Sequence, residues 1–144
     1  MKILVPVDGS DYSMEAVKVA LKYAKATQTD IYLMTVTPFM AGLDLEMSAD
    51  ATEKLNESMK ARGEEVLSKA QGILKAEGVT ANTILSSSVS AADEIIGFAE
   101  KEKADLIIIG SKGLGGKATR FLMGSVALKV VSNAPCNVYV VKKA

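Results

Sequence analysis

Gly110, Gly113, Gly115 and Gly116 fall within seven residues, with Lys112 among them and Lys117 next in line. Such a run lets the backbone approach a ligand closely and turns its N–H groups toward one point, and the lysines add positive charge. Gly124-Ser125 follows where a helix opens, offering N-terminal amides and a hydroxyl. The chemistry these residues suit is the holding of a phosphate-like anion. Asp8 ends an apolar run and supplies a carboxylate that either meets a ligand or caps the next helix. General-base chemistry is poorly provided for, because the chain has no His. With Cys136 as its single cysteine it also has neither a zinc-type ligand set nor an intrachain disulfide.

Two common phosphate motifs fail here. A Walker loop begun at Gly110 reaches Gly115 but then meets Gly116 in place of Lys. Aligned on Gly116-Lys117, it puts Ser111 at the first glycine and Ala118 at the hydroxyl. A dinucleotide fingerprint begun at Gly113-Leu114-Gly115 finds Ala118 where it needs glycine.

The elements that must position these residues are legible in the apolar pattern. Short runs at 3–7, 31–36, 79–86, 106–109 and 138–141 read as strands, most of them without a polar residue at every second place. That pattern suits a parallel sheet covered on both faces. Between them, helical spacing marks Ala16, Val17, Ala20, Leu21 and Ala24, then Leu55, Met59, Val66, Ala70, Ile73 and Leu74. Ile95, Ile96 and Ala99 mark a third helix, and Leu122, Val126, Val130 and Val131 a fourth. Ser10 reads as the first cap, Ser90-Ala91-Ala92-Asp93 as a capping box, Gly78 as a C-terminal stop, and Asn133-Ala134-Pro135 as the last one. The least regular stretch is 37–50.

Alternation of strand and helix predicts one α/β domain over residues 1–144, an open parallel sheet with right-handed crossovers. Ligands in such sheets bind beyond the carboxyl ends of the strands, where Asp8 and Gly110 both fall. Composition agrees with a packed domain: 49% of residues are hydrophobic and 24% charged, with 17 basic and 17 acidic side chains. A zero net charge argues against nucleic acid as partner. No apolar stretch approaches the ~18 residues of a membrane span, and no leader precedes the first strand, so the expected compartment is cytoplasmic.

The chain resembles the universal stress protein family, and in particular its ATP-binding members, whose signature is Gly-x-x-Gly, nine spacer residues and Gly-Ser/Thr. The likeness covers essentially the whole chain. It rests on Ile3-Leu4-Val5-Pro6-Val7-Asp8-Gly9-Ser10, Ile107-Ile108-Ile109-Gly110-Ser111-Lys112-Gly113, Gly124-Ser125-Val126 and Ala134-Pro135-Cys136-Asn137-Val138. The spacer here is one residue longer, and Gly115-Gly116 offers room for it as a local bulge. Asn137 stands where family members often carry proline.

The resemblance implies a five-stranded sheet of order 3-2-1-4-5 with helices on both faces, and a homodimer formed by the last strand through residues 137–142. It implies an ATP site in which Pro6, Val7 and Val36 line the adenine, Val36 through its backbone. Asp8 would lie near the ribose and a phosphate-bound Mg²⁺ or Mn²⁺. Ile109, Gly110 and Gly113 would cover the ribose and first phosphates, and Gly124, Ser125 and Val126 the outer ones. The function expected is that of a regulatory, stress-response protein acting on an unknown protein partner with little or no catalysis. The alternatives are an ATPase or phosphotransferase using Asp8 and metal, and a dimeric interaction protein without nucleotide.

Overall fold

Ile3, Val5 and Val7 alternate with Leu4 and Pro6, so the first strand offers apolar side chains to both faces of its sheet and must be covered on both. The computed structural model, which describes residues 1–39, 48–114 and 123–143, shows how this is done. Strands β1 (Lys2–Pro6), β2 (Asp30–Pro38), β3 (Ala81–Ser88), β4 (Leu106–Gly110) and β5 (Asn137–Val141) form one parallel sheet in the order β3-β2-β1-β4-β5. Helices α1 (Asp11–Ala26), α2 (Ala49–Lys75), α3 (Ala91–Lys101) and α4 (Ser125–Asn133) make the crossovers.

One core joins Ile3, Val5, Ile31, Leu33 and Ile108 to Val17 and Ala20 of α1 and Leu67, Ala70 and Leu74 of α2. The other joins Leu4, Met34, Ile107 and Ile109 to Ile95 and Ala99 of α3 and to Ala127 and Val130 of α4. Helices therefore cover both faces, and the order reverses between β1 and β4, as the sequence reading expects. Connections from those two strands leave to opposite faces and open a crevice at their carboxyl ends.

The local signals mostly act as expected. Ser10 Oγ accepts the Ser13 N–H at 3.1 Å and starts α1. Gly78, at φ +75°, ends α2: its N–H donates to Lys75 O, and the Val79 N–H reaches back to Leu74 O. Ser90 Oγ accepts the Asp93 N–H at 3.2 Å, but the Ser90 N–H donates to Ser88 Oγ instead of completing a box with Asp93.

Other boundaries differ. Thr37 and Pro38 belong to β2, and Ala49 and Asp50 to α2, so the irregular stretch shrinks; residues 40–47 lie outside the described residues. In α4 the buried positions are Ala127 and Val130, whereas Val126 and Val131 are exposed; Leu122 lies outside the described residues. With only nine residues, this helix covers the sheet through small side chains and leaves larger ones outward.

Candidate functional site

β1 and β4 end side by side, and the chain leaving each builds one wall of a cleft of about 460 Å³. That volume falls within the ~300–1,000 Å³ usual for small-ligand sites. Pro6, Val7 and Asp8 enter it from the end of β1, and Val36 from β2. Ile109, Gly110 and Gly113 come from the end of β4 and the loop beyond, and Gly124, Ser125 and Val126 from the start of α4. All ten residues singled out from the sequence thus line a single cleft.

The floor is apolar. Met34 and Ile95, 2% and 3% exposed, lie in it beside Ile109. Val7 donates its N–H to Met34 O at 2.8 Å, so Met34 turns its peptide groups toward β1. Strand alternation gives Val36, two residues on, the same direction, at a level where β1 has already ended. The Val36 N–H and C=O therefore point into the cleft, a donor beside an acceptor.

Asp8 is held from several sides. Its Oδ1 accepts the Ser10 N–H at 2.9 Å, an Asx turn that fixes the carboxylate at the start of α1. Its Oδ2 accepts the Leu114 N–H at 3.1 Å, drawing the loop after β4 across the sheet. Ser13 Oγ accepts the Asp8 N–H at 3.4 Å and donates to Ser10 O at 2.9 Å. Gly9, at φ +90°, makes the turn between them. Asp8 thus serves as a local cap and as a wall of the cleft together, two roles that its sequence position leaves as alternatives.

The glycines divide their work. A side chain at Gly113 would put its Cβ 2.7 Å from Asp8 Oδ2, so this position is bare because the carboxylate lies against it. At Gly110 a Cβ would fall 2.8 Å from the Tyr12 carbonyl carbon, so that glycine lets α1 approach β4. The Gly124 N–H donates to Ser111 O at 2.7 Å, and its own amide is engaged inside the protein. The helical start is thereby fixed to the loop, and Ser111 in turn donates its N–H to Val141 O at 2.8 Å.

Gly124, not Ser125, occupies the cap position of α4, and among the described residues no side chain caps it. The first-turn amides of Ser125, Val126 and Ala127 have no carbonyl one turn back within the helix, and no acidic residue stands in that turn. They form a positive dipole end directed at the cleft. Lys112 lines the same end; Gly115, Gly116 and Lys117 lie outside the described residues.

Ser13, Met34, Ala91, Ile95, Leu114 and Ala127 also line the cleft and escape the sequence reading. Ser13 had a signal in its place three residues after a helix cap. Met34 and Ile95 had none beyond apolarity, because only sheet order brings β2 and α3 to the same crevice. Among the described residues Asp8 is the sole carboxylate lining the cleft. Among the described residues no group of three or more His, Cys, Asp or Glu gathers anywhere. From the described residues a cation here would draw one carboxylate and take its other oxygen ligands from elsewhere, such as a bound molecule. Cys136 lies apart, and its thiol is pushed up by burial first and by the charge of Asp105 second, which keeps it protonated.

Comparison with known proteins comes to the same architecture. The model of the universal stress protein family matches residues 1–142. A universal stress protein of Methanocaldococcus jannaschii is 44% identical over 99% of this chain and 82% of its own length. The solved structure of UspA from Lactobacillus plantarum superposes with a TM-score of 0.85 at 26% identity, over 98% of this chain and 97% of that one. The structure of a universal stress protein from Archaeoglobus fulgidus in complex with dAMP is similar at a TM-score of 0.71 and 27% identity, over 99% and 98% of the two chains.

Proposed function

Because the chain belongs to the universal stress protein family, we propose that its cleft binds ATP and that occupancy, not turnover, is its output. The observation that carries this reading is the pairing of an apolar floor with an uncapped helix start across one cleft. The floor of Met34, Ile95 and Ile109 suits a flat base, and the Val36 N–H and C=O match the acceptor and donor on adenine's Watson–Crick edge. The amides of Ser125 and Val126 suit the outer phosphates, with Gly113 and the Ile109 and Gly110 backbone bordering the ribose and the first phosphate. The dAMP complex of the Archaeoglobus fulgidus relative supports the adenine class of ligand.

The same reading gives Asp8 the ribose and a phosphate-bound Mg²⁺ or Mn²⁺. One carboxylate suits a cation carried largely by phosphates, as Mg²⁺ commonly is. Such a cation would neutralise charge between Asp8 and the nucleotide. A lone carboxylate among the described residues of the cleft and a chain without His favour a regulatory protein over an ATPase or phosphotransferase.

Self-association belongs to this proposal. β5 borders the sheet with one free edge, Tyr139 is 43% exposed on it, and Leu128 and Val131 stand exposed on α4. An open edge beside apolar side chains favours pairing with a second copy. No described helix is long and apolar enough to cross a membrane, and a cytoplasmic site of action fits the regulatory reading.

Denaturing the purified protein and analysing the released small molecules by mass spectrometry tests the ligand class. An adenine nucleotide near one per chain is expected, with sedimentation at twice the chain mass. Calorimetry on nucleotide-free protein should show ATP binding that weakens when Mg²⁺ is withdrawn. In Asp8→Ala that Mg²⁺ dependence should largely vanish, a loss of roughly tenfold or more for a charge-assisted contact. Absence of both released nucleotide and binding heat would leave the dimeric interaction protein as the better reading.

A further inference from the structure

Asp8 Oδ2 has two claimants. In the conformation described it accepts the Leu114 N–H at 3.1 Å, and the Gly113 backbone lies so close that a Cβ there would sit 2.7 Å from it. Oδ1 is already committed to the Ser10 N–H, a bond within the turn that starts α1. A ligand that engages this carboxylate from the cleft therefore meets Oδ2, the oxygen the loop already holds. Oδ2 keeps a second lone pair, but the Gly113 backbone packs against it, so a hydroxyl or cation reaching Oδ2 competes with the loop for space, and a cation is also repelled by the positive end of the N–H.

We propose that the Asp8–Leu114 hydrogen bond is an occupancy latch: it ties the start of the loop after β4 to Asp8 at the end of β1 and opens when ligand takes Oδ2. The inference rests on the nucleotide reading above and deepens it by naming the contact that changes. Its consequence is local and directed. Leu114 is 70% exposed at the mouth of the cleft, so release of its N–H repositions an apolar side chain where a partner protein could read it. Ser111 stays fixed, bonded to Val141 O and to the Gly124 N–H, so within 111–114 the movement falls to residues 112–114.

The Leu114 amide proton reports the latch directly, since a hydrogen bond to a carboxylate holds its NMR resonance downfield. Asp8→Asn keeps an oxygen for the Ser10 N–H while allowing an NH₂ group, a donor, to face Leu114. In nucleotide-free protein this variant should move the Leu114 resonance upfield and speed its exchange roughly tenfold or more, with the amides of β1 unchanged as the check on folding. In wild type, saturating MgATP should move the same resonance upfield. ATP with Mg²⁺ chelated should do so too if a ribose hydroxyl is the competitor, and fail to do so if the cation is.

An unmoved resonance in Asp8→Asn overturns the latch. A wild-type resonance that stays downfield while calorimetry registers MgATP binding overturns the switch alone. If calorimetry registers no binding although Asp8→Asn moves the resonance, the nucleotide reading falls, the switch falls with it, and the bond remains a structural tie.

Discussion

Gly113→Val is expected to lose about ten- to a hundredfold in MgATP affinity while folding normally. The first added carbon alone would approach Asp8 Oδ2 to 2.7 Å, far inside contact distance, and valine adds two methyl groups beyond it. Relief requires the carboxylate to swing away or the loop to lift. Either change removes the Leu114 N–H bond and leaves a branched side chain in the space a ligand needs beside Oδ2. A ligand must push that side chain aside, and crowding of this kind costs about 1–3 kcal/mol, or roughly five- to a hundredfold in affinity. Position 113 is half-buried in a loop, so the thermal midpoint should shift little. Calorimetric titration decides the matter, and a dissociation constant within about threefold of wild type would mean that ligand does not approach this side of Asp8.

Gly110→Ala should do the reverse and strike the fold. Its Cβ would lie 2.8 Å from the carbonyl carbon and the Cβ of Tyr12 and 3.0 Å from the Tyr12 oxygen. These are main-chain atoms in the first turn of α1 or lie next to it, and they cannot rotate aside. The helix must move off β4, whose residues here are buried. Overpacking of that kind costs about 1–3 kcal/mol, or a melting point lowered by roughly 3–10 °C for a domain of this size. A change under about 2 °C would show that α1 yields easily. Measured side by side, the two variants separate a packing glycine from a site glycine within one four-residue motif.

Much of the architecture was legible beforehand because burial on both faces imposes a simple pattern. Ile3-Leu4-Val5 and Ile107-Ile108-Ile109 could not sit in a half-solvated sheet, and strands alternating with helical periods leave few topologies open. Caps at Ser10 and Gly78 worked because they depend on neighbours only a few residues away. Legibility failed where a distant neighbour decides. The exposure of Val126 and Val131 follows from how closely a short helix can lie on β4 and β5, which helical spacing alone cannot express. The reciprocal half of the predicted box at Ser90 went to Ser88, because β3 runs on to residue 88 and ends beside the cap.

By itself, then, the amino-acid order determined the class of fold, the end of the sheet at which anything would bind, and the residue types gathered there. Those are consequences of local period, chain direction and the backbone freedom of glycine. Only the tertiary structure decided which glycine serves packing and which serves the cleft, that the Gly124 amide is already engaged, and that Asp8 spans both β1 and the loop after β4. The space beside a bare backbone belongs to whatever the fold brings against it, here Tyr12 in one case and Asp8 in the other, and no spacing along the chain encodes that distance.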